Sequence, residues 1–357
     1  MRILQVYSGP YKVYRGGGIS AYVRNISERL AKRHDVTVFG TNPGDLPRFE
    51  VINGVKVERF RRVAPGGAYF FSMDMFLRLR KVGFDVVHGH GYQSLPLHLS
   101  PIAKKRRFIA STHYHGVSQS PLRDSLMKVL RPAGQWTLAK ADKVVAVSEH
   151  EKSLLLHQFK LDSRKLAVIP CGVDYGEFQG LVRHRRKGRY MLYVGRLESY
   201  KGAQYLIEVM PKLDDDWNLE IVGNGPMKPL LEKRASELDI RKRVEFYEPL
   251  PRKELLQKFV DADVFVLLSR YEAYSMVIAE ALVAGTPCIV ATGSALTEWV
   301  DNENCFGMDY PLEIPRLAQL IEKASDHRNE SSGEGLRKDK IKDWNSIVEE
   351  FEKMYSG

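Results

Sequence analysis

The sequence has few cysteines and no long apolar segment. Its 357 residues include three cysteines, Cys171, Cys288 and Cys305, an odd number without the spacing of metal ligands. This pattern argues against a cysteine-held zinc site and indicates a reducing, cytoplasmic compartment. No apolar run reaches the ~20 residues that span a membrane. The first residues, MRILQVYSG, lack the apolar core of a signal peptide, so we expect the chain to start with a strand.

Low-complexity tracts are also absent, and the composition is that of a globular protein. Hydrophobic residues make up 44% of the chain and charged residues 27%. A length of 357 residues predicts two domains. Apolar strand-like runs alternate with amphipathic helical runs in both halves, which predicts α/β domains with parallel sheets.

The net charge of +10 is divided unevenly along the chain. Residues 1–176 contain 28 Lys and Arg against 13 Asp and Glu, whereas residues 177–357 contain 26 against 31. We therefore expect the basic first half to face an anionic substrate or an anionic membrane surface. Nucleic-acid-binding proteins share this charge, but the sequence contains no recognisable motif of that class, so we expect no nucleic-acid partner.

Residues 264–291 predict a βαβ unit, which places two strands parallel in one sheet. The runs 264–268 and 288–291 are apolar and strand-like, and a helical pattern covers 275–284 between them. Gly285 follows the helix, where a C-terminal cap favours a left-handed residue.

Two carboxylates stand out in this unit. Glu272 lies in the loop and Glu280 lies within the apolar helix. A carboxylate among apolar neighbours costs free energy unless a hydrogen-bond donor satisfies it. The helix also begins with free backbone N–H groups, at Ser275 and Met276, which form an anion site. The alternative is that Glu280 faces solvent and Glu272 is an ordinary loop charge.

Cations and glycines follow two strand-like runs of the second half. The run 190–194 leads into Gly195 and Arg196, and Lys201 lies five residues beyond Arg196. An Arg and a Lys just past a strand end can neutralise the two charges of a nucleotide diphosphate. Ordinary surface charges on a loop are the alternative. Gly223 follows the next strand-like run and precedes a helix with proline near its start.

In the first half, glycines and histidines follow strand-like runs. Gly16, Gly17 and Gly18 separate the first strand from a helix, where glycine lets the backbone approach a ligand closely. They do not form GxGxxG, so a dinucleotide site is poorly supported. His113 and His115 follow a later strand, at the end where open α/β sheets bind ligands. A flexible loop and a satisfied loop histidine are the alternatives.

The sequence predicts no metal site. His88 and His90 alternate after the strand-like run 84–87, but no third ligand has a suggestive spacing. Asp261 and Asp263 form a DxD pattern, yet they stand at a helix end before a strand, where a capping and boundary role is expected.

Two segments of the first half are predicted to be helical. Residues 68–82 form an amphipathic pattern, and residues 121–141 predict one or two helices that break near Pro132. Basic residues in and near the second segment could face anionic lipid, and a solvated basic face is the alternative. These residues are Arg123, Lys128, Arg131 and 104–107.

The stretch around the two glutamates closely resembles the Glu-x7-Glu signature of retaining glycosyltransferases of the GT4 type, which have the two-domain GT-B fold. The resemblance continues through the Gly-Arg and Lys-Gly pairs at 195–196 and 201–202, Thr-His at 112–113 and the IPxGVD-like segment at 169–174. It is carried above all by Glu272, Ala273, Tyr274, Ser275, Glu280, Ala281, Gly285 and Pro287.

The resemblance implies a role for each candidate residue. Glu272 would contact hydroxyls of the donor sugar, Glu280 would hold the ribose hydroxyls, and His113 would lie near the anomeric centre. Arg196, Lys201 and the helix N-terminus would meet the diphosphate. The further residues implied to bind the donor are Gly17, Gly18, Gly195, Gly223, Leu250, Tyr274, Ser275 and Met276.

The resemblance also implies an architecture of two Rossmann-like parallel-sheet domains that face a central cleft. We expect an acceptor-binding domain at 1–175, a linker at 176–189 and a nucleotide-sugar-binding domain at 190–340. The segment 341–357 would be a C-terminal helix that returns to the first domain.

The implied activity is metal-independent, retaining transfer of a hexose-type sugar. A UDP- or GDP-linked sugar would be the co-substrate, with no further cofactor, and the acceptor would be a glycan or a lipid-linked or anionic molecule. The place of action would be the cytoplasm, at the inner face of the membrane where the acceptor is lipid-linked. Two alternatives remain open: a GT-B sugar-nucleotide epimerase, and a non-catalytic subunit that binds sugar nucleotides.

Overall fold

The structure, a computed structural model, divides into two compact units. The first unit comprises Met1–Gly172 and Trp344–Gly357, and the second comprises Val173–Asp343. The described residues are 1–11, 17–44, 46–63, 71–117, 121–184, 186–330 and 341–357, without the side chains of 121–124, 126–128 and 329–330.

The first unit is built on an eight-stranded sheet. Its strands are β1 (Arg2–Val6), β2 (Asp35–Asn42), β3 (Phe49–Ile52), β4 (Val55–Arg61), β5 (Gly83–His90), β6 (Lys104–Ser111), β7 (Lys143–Ala146) and β8 (Leu166–Val168). They lie in the order β3-β4-β2-β1-β5-β6-β7-β8, with every pair parallel except the β3–β4 hairpin. The helices are α1 (Gly18–Leu30), α2 (Met73–Leu79), α3 (Leu95–Leu99), α4 (Pro121–Lys140) and α5 (Glu149–Gln158).

The second unit is built on a six-stranded, wholly parallel sheet. Its strands are β9 (Arg189–Val194), β10 (Trp217–Val222), β11 (Val244–Tyr247), β12 (Val264–Leu267), β13 (Cys288–Ala291) and β14 (Cys305–Met308). They lie in the order β11-β10-β9-β12-β13-β14. The helices are α6 (Ala203–Val209), α7 (Lys228–Glu237), α8 (Arg252–Asp261), α9 (Met276–Val283) and α10 (Ile314–Glu330). The prediction of two parallel-sheet α/β domains is confirmed.

In each sheet the chain order reverses beside the first strand of its unit. The reversal falls between β1 and β5 in the first unit and between β9 and β12 in the second. Open α/β sheets bind ligands beyond the carboxyl ends of the strands at such a switch point. Both reversals therefore mark the places where functional side chains are to be sought.

The βαβ unit of the second half forms as predicted. Strand β12 ends one residue earlier than expected, β13 has the predicted bounds, and α9 begins after Ser275. Gly285 has a left-handed backbone, with φ +76°, directly after the helix. Both strands are fully buried, which explains why they appear as continuous apolar runs rather than alternating ones.

Three predictions in the first unit need correction. Helix α2 is shorter than the predicted 68–82, because Phe71 bonds with Val63 and Ser72 caps the helix by accepting from Met75 N. Residues 68–70 lie outside the described residues. The strand expected at 84–87 extends as β5 to His90, so His88 and His90 lie within the sheet.

Helix α4 is also continuous across the predicted break at Pro132. The neighbouring Gly134 is explained by packing, because a Cβ at this position would lie 2.1 Å from the Tyr92 hydroxyl. Close helix packing, rather than a helix end, accounts for this glycine.

The predicted linker 176–189 belongs to the second unit, whose boundary falls at Val173 rather than after residue 175. Phe178 and Leu181 pack against the core of that unit. Arg186 Nη2 donates to Glu220 Oε1 at 2.7 Å, which ties the segment to β10. These contacts explain why the segment is not a free linker, despite its charged sequence.

The last helix, α11 (Trp344–Ser356), is part of the first unit. Its Trp344 and Phe351 rings lie edge-on to Tyr22 of α1 at 5.7 and 6.3 Å. The buried residues of the helix are Trp344, Ile347, Val348, Phe351 and Tyr355. Across the described ranges, every helix is too short or too polar to cross a membrane.

Candidate active site

Lys201 and Glu272 meet at the switch point of the second sheet. Lys201 ends a short helical turn after β9, and Glu272 lies in the loop after the neighbouring strand β12. Lys201 Nζ lies 2.5 Å from Glu272 Oε1, and each side chain is 15% exposed. Two residues 71 positions apart thus form one half-buried ion pair at the carboxyl ends of adjacent strands.

Gly202 permits this approach. Its φ is +82°, and a Cβ there would lie 2.3 Å from the Leu268 carbonyl oxygen at the end of β12. A larger residue would push the Lys201 turn away from the loop that carries Glu272. The glycine of the Lys-Gly pair therefore has a packing reason.

Arg196 does not join that pair. Its side chain is 56% exposed, and its guanidinium donates to the Tyr200 hydroxyl and lies 3.8 Å from Glu198 Oε1. Tyr200 is fixed from the other side, because its carbonyl accepts from Arg270 N at 2.8 Å. Arg196 is thus the more exposed of the two candidate phosphate-binding cations, at the same strand end as Lys201.

Glu280 is buried in α9 and paired with Arg252. Glu280 is 4% exposed as a residue, and Arg252 Nη1 donates to its Oε1 at 2.7 Å. Burial raises the pKa of Glu280, and the nearby Arg252 partly offsets this effect. Arg252 also donates to Glu177 Oε2 from Nη2 at 2.7 Å and from Nε at 2.9 Å.

Arg252 is the hydrogen-bond donor that the Glu280 carboxylate requires among its apolar neighbours. This residue was not identified from the sequence. It is the first residue of α8, 28 positions before its partner, in a segment without a motif of its own. The only sequence signal is indirect: a carboxylate inside an apolar helix requires a donor, and α8 begins with a cation.

The N-terminus of α9 has an unusual backbone. Ser275 has φ +82° and ψ 89°, and its Oγ is buried without a hydrogen-bond partner among the described residues. The Ser275 side chain therefore does not accept a capping hydrogen bond from the first backbone N–H groups of the helix. Tyr274 is held by Trp299, whose Nε1 donates to the Tyr274 carbonyl at 2.9 Å. Positive φ in a serine costs free energy, and such strain is common at ligand sites.

The glycines after β9 and β10 bring two loops into contact. Gly195 N donates to Val222 O at 3.0 Å, and a Cβ on Gly223 would lie 1.9 Å from Gly195 O. This loop-to-loop packing at the strand ends therefore requires glycine at position 223. Leu250 is half-buried against the same core and precedes α8 by two residues.

In the first unit, His113 follows β6 in a left-handed conformation, with φ +48°. Burial lowers the pKa of its imidazole to about 4. Its Nε2 is buried without a hydrogen-bond partner in the described part of the chain, and the Tyr22 ring lies edge-on at 4.7 Å. His113 is therefore a neutral imidazole just past the end of β6.

His88 and His90 have structural partners. His88 contacts the Tyr355 hydroxyl through Nδ1 and Ser111 Oγ through Nε2, both at 2.7 Å, and His90 Nε2 lies 2.6 Å from Gln5 Oε1. These contacts join β5 to β1, β6 and α11. No group of three or more His, Cys, Asp or Glu among the described residues is arranged to hold a metal ion.

The DxD carboxylates hold main chain. Asp261 accepts from His184 N at 2.8 Å, and Asp263 accepts from Tyr190 N at 2.7 Å. Asp263 also pairs with Arg183. They hold the backbone before β9 and at its start, as a boundary role predicts, and these bonds do not cap α8.

Gly17 and Gly18 begin α1, and Gly16 lies outside the described residues. A Cβ at Gly17 or Gly18 would meet no described atom within 4 Å. Packing with the described residues therefore does not require glycine at either position, unlike at Gly202 and Gly223.

The basic residues of the first unit have mixed roles. Lys105 Nζ donates to Ala103 O at 2.9 Å, Arg107 donates to Met354 O at 3.0 Å, and Arg131 donates to Gln158 O. The side chains of Arg123 and Lys128 lie outside the description. Lys104 and Arg106 are exposed. At least three of the seven basic residues that could face lipid, 104–107 with Arg123, Lys128 and Arg131, thus bond backbone carbonyls. These three are not fully available to a lipid.

Two family models match the chain in succession. Glycosyltransferase Family 4 matches residues 16–177, and Glycosyl transferases group 1 matches residues 178–334. An uncharacterised glycosyltransferase of Methanocaldococcus jannaschii is 28% identical over 332 residues, which cover 86% of this chain and 85% of that protein.

Solved structures show the same fold. Sucrose-phosphate synthase from Thermosynechococcus elongatus is 21% identical, with a TM-score of 0.77 over 99% of this chain and 98% of that one. HepE of Anabaena in complex with UDP-glucose is 18% identical, with a TM-score of 0.74 over 100% and 99% of the two chains. The chain belongs to the GT4-type glycosyltransferases and has the GT-B fold.

Proposed function

We propose that the protein is a retaining glycosyltransferase that moves a hexose-type sugar from a UDP- or GDP-linked donor to an acceptor hydroxyl. One observation supports this most: the Lys201–Glu272 ion pair lies at the switch point of the second sheet, at the C-terminal ends of β9 and β12. Family membership and the UDP-glucose complex of HepE, a protein of the same fold, agree with a sugar-nucleotide donor.

In this reaction the bond between the anomeric carbon and the diphosphate breaks, and the diphosphate leaves with the electron pair. The acceptor oxygen bonds to the same face of the anomeric carbon, and its proton passes to a diphosphate oxygen. Negative charge grows on the leaving group, so cations placed there stabilise the transition state more than the ground state.

The second unit supplies suitable groups for the leaving diphosphate. We assign Lys201, Arg196 and the α9 backbone at Ser275 and Met276 to it, with no metal ion and no further cofactor. When a donor binds, Lys201 turns from Glu272 toward the diphosphate, and Glu272 accepts from sugar hydroxyls instead. An ion pair that is already half-buried reduces the cost of this exchange, because both groups are partly desolvated.

The remaining assignments concern the nucleoside and the sugar. Glu280, oriented by Arg252, accepts from the ribose hydroxyls, and the backbone near Leu250 contacts the base. His113 accepts from a sugar hydroxyl near the anomeric centre, since a neutral imidazole can accept where an imidazolium cannot. We also assign Gly17 and Gly18 to the donor phosphates and the acceptor.

For the acceptor, we propose a lipid-linked or otherwise anionic molecule at the cytoplasmic face of a membrane. Support comes from the charge division, with 28 Lys and Arg against 13 Asp and Glu in residues 1–176. Basic surfaces gain free energy near anionic lipid in proportion to their exposed cations. Vesicle sedimentation tests this: binding should rise when anionic lipid replaces neutral lipid and fall with salt, and equal binding to both vesicles would contradict it.

A donor screen tests the reaction itself. The protein is incubated with UDP- and GDP-sugars, with and without a membrane extract, and nucleoside diphosphate release is measured in the presence and absence of EDTA. Acceptor-dependent, EDTA-insensitive release with an unchanged anomeric configuration in the product is expected. An epimerised sugar formed without acceptor would indicate the epimerase instead. Binding without turnover of any donor would indicate a non-catalytic subunit.

A further inference from the structure

Glu151 is a fully buried carboxylate to which the proposed reaction gives no role. It lies in the first turn of α5 and is 0% exposed. Ser148 caps this helix, and its Oγ accepts from Glu151 N at 3.0 Å. In the common capping box, the acidic side chain at this position returns to the N–H of the capping residue. The Glu151 carboxylate instead accepts from Val147 N at 2.7 Å and extends to the segment that follows β6.

The residues that Glu151 reaches lie on either side of His113. Its Oε1 accepts from the Thr112 hydroxyl and from Tyr114 N, the latter at 2.5 Å. Thr112 is also fixed by its backbone, because its N donates to Val145 O at 3.2 Å. One carboxylate oxygen therefore joins the residue before His113 to the residue after it.

This arrangement holds a backbone conformation that histidine rarely adopts. A φ of +48° at His113 is unfavourable for a residue with a Cβ, and such a conformation persists only where its surroundings enforce it. The bonds to Thr112 and Tyr114 fix both ends of that turn. Without them, His113 could relax toward negative φ and its imidazole would move.

Burial of the Glu151 carboxylate costs free energy, which indicates that this arrangement has a functional role. Burial raises the pKa of its carboxyl to about 7, and the hydrogen bonds from Thr112, Tyr114 and Val147 counteract part of that rise. The α5 N-terminus adds a favourable dipole. The middle of β6 is held more simply, because Asp142 Oδ2, near the surface, accepts from Phe108 N at 2.7 Å.

We propose that Glu151 is a positioning residue that holds His113 in the orientation needed for its contact with the reacting sugar. The inference rests on the role given to His113 in the proposed function. Loss of a group that orients a ligand-contacting residue typically costs about 10–100-fold in activity. The effect should fall on kcat, because misplacement of a group near the reacting atoms lowers the fraction of productive geometry.

Four variants test the proposal in the full-length chain: Glu151→Gln, Thr112→Val, His113→Ala and Asp142→Asn. Glu151→Gln keeps the shape but cannot accept at both carboxyl oxygens, so kcat should fall about 10–100-fold with the donor KM within about twofold. Thr112→Val removes one bond only and should lower kcat less. Asp142→Asn weakens the contact with the middle of β6 and should lower the melting temperature without changing kcat.

A double variant separates positioning from general damage. If Glu151 acts through His113, Glu151→Gln in the His113→Ala background should reduce kcat by less than twofold further, because coupled residues are not additive. Additive losses, or equal kcat losses in Glu151→Gln and Asp142→Asn, would overturn the proposal. Should Glu151→Gln not fold, Thr112→Val with and without His113→Ala gives the same comparison. Full activity in His113→Ala would overturn the role of His113 itself.

Discussion

The two units carry different chemistry at the carboxyl ends of their strands. In the second unit the groups are ions: Lys201 pairs with Glu272, and Arg252 pairs with Glu280. In the first unit the imidazoles around β5 and β6 are neutral, and the Glu151 carboxyl that bonds both neighbours of His113 is fully buried. Burial lowers the pKa of His88 to about 3 and that of His113 to about 4. Similar parallel sheets thus present ion pairs in one unit, and neutral imidazoles beside a fully buried carboxyl in the other.

This difference matches the two demands of the proposed reaction. A leaving diphosphate gains negative charge and is stabilised by fixed cations, whereas the hydroxyls of a sugar need only neutral hydrogen-bond partners. The contrast also predicts different failures. Variants in the second unit should act on charge stabilisation, and variants around His113 should act on geometry and on acid stability.

The largest effect on the difference between the two units is expected from removal of the Lys201 side chain. Lys201→Ala should lower kcat about 10²–10³-fold, because one fixed charge partner of the leaving group is lost. Nucleoside diphosphate release under saturating donor measures the effect. Arg189→Ala is the matched control, since Arg189 bonds Asp216 at 2.8 Å at the opposite end of β9.

The control should lose thermal stability and keep kcat within about twofold of the unmodified protein. Lys201→Ala should show the reverse pattern. A kcat within threefold of normal in Lys201→Ala would contradict the proposal that the second unit stabilises charge on the leaving group.

The next effect concerns binding through Glu280. Glu280→Gln keeps the shape but removes the charged acceptor, and hydrogen bonds to charged groups are worth about 1.5–3 kcal/mol. We therefore expect nucleoside diphosphate to bind about 10–100-fold more weakly by calorimetry. Glu177→Gln is the control, because Glu177 contacts the same Arg252 but is 37% exposed.

Exposed ion pairs contribute little, so Glu177→Gln should change the dissociation constant by less than about threefold. Equal weakening in both variants would show that Arg252, rather than the Glu280 carboxylate, carries the binding. Unchanged binding in Glu280→Gln would remove the ribose contact from the proposed site.

Local sequence patterns predicted the fold well, but they did not predict contacts between residues that are far apart in the sequence. Strands β12 and β13 are buried on both faces and so appear as apolar runs, and Gly285 marks the helix end. The roles of Lys201 and Glu272 were inferred from the resemblance to GT4-type glycosyltransferases. Their contact could not be predicted from local patterns, because the two residues are 71 positions apart.

Arg252 and Glu151 were missed for a related reason. Arg252 opens a helix without a motif, and Glu151 looks like an ordinary capping residue after Ser148. Each becomes interpretable only when its buried partner is seen, across 28 positions for Glu280 and 37 for Tyr114. The continuous α4 and the short α2 were mispredicted because proline, glycine and amphipathic signals do not reveal tertiary packing.

Acid stability sharpens the contrast between the units. An unfolded histidine titrates near 6.5, but the folded His113 stays neutral down to a pKa of about 4. The unfolded state therefore binds more protons between these values, and stability is lost as the pH falls from about 6.5 to about 4. At pH 5 this loss is on the order of 2 kcal/mol for one such histidine.

His113→Asn tests this, because asparagine does not titrate there and tolerates positive φ. The drop in unfolding free energy between pH 7 and pH 5 should be smaller in the variant. Glu151, whose pKa is raised, acts in the opposite direction but is present in both proteins. His184→Asn is the control, since His184 is exposed in the second unit. An equal pH dependence in all three proteins would contradict a buried, neutral His113.

The smallest expected effect tests whether the strain at α9 belongs to the charged site. Ser275 has φ +82° and a buried Oγ without a partner among the described residues, so its side chain brings strain and no compensating bond. Ser275→Gly should raise the free energy of unfolding by about 1 kcal/mol, and Ser275→Ala, which keeps the Cβ, should not. Donor KM then distinguishes two uses of the residue. If only the backbone N–H contacts the diphosphate, the alanine variant keeps its KM; a matching rise of KM in both variants would assign the contact to Oγ.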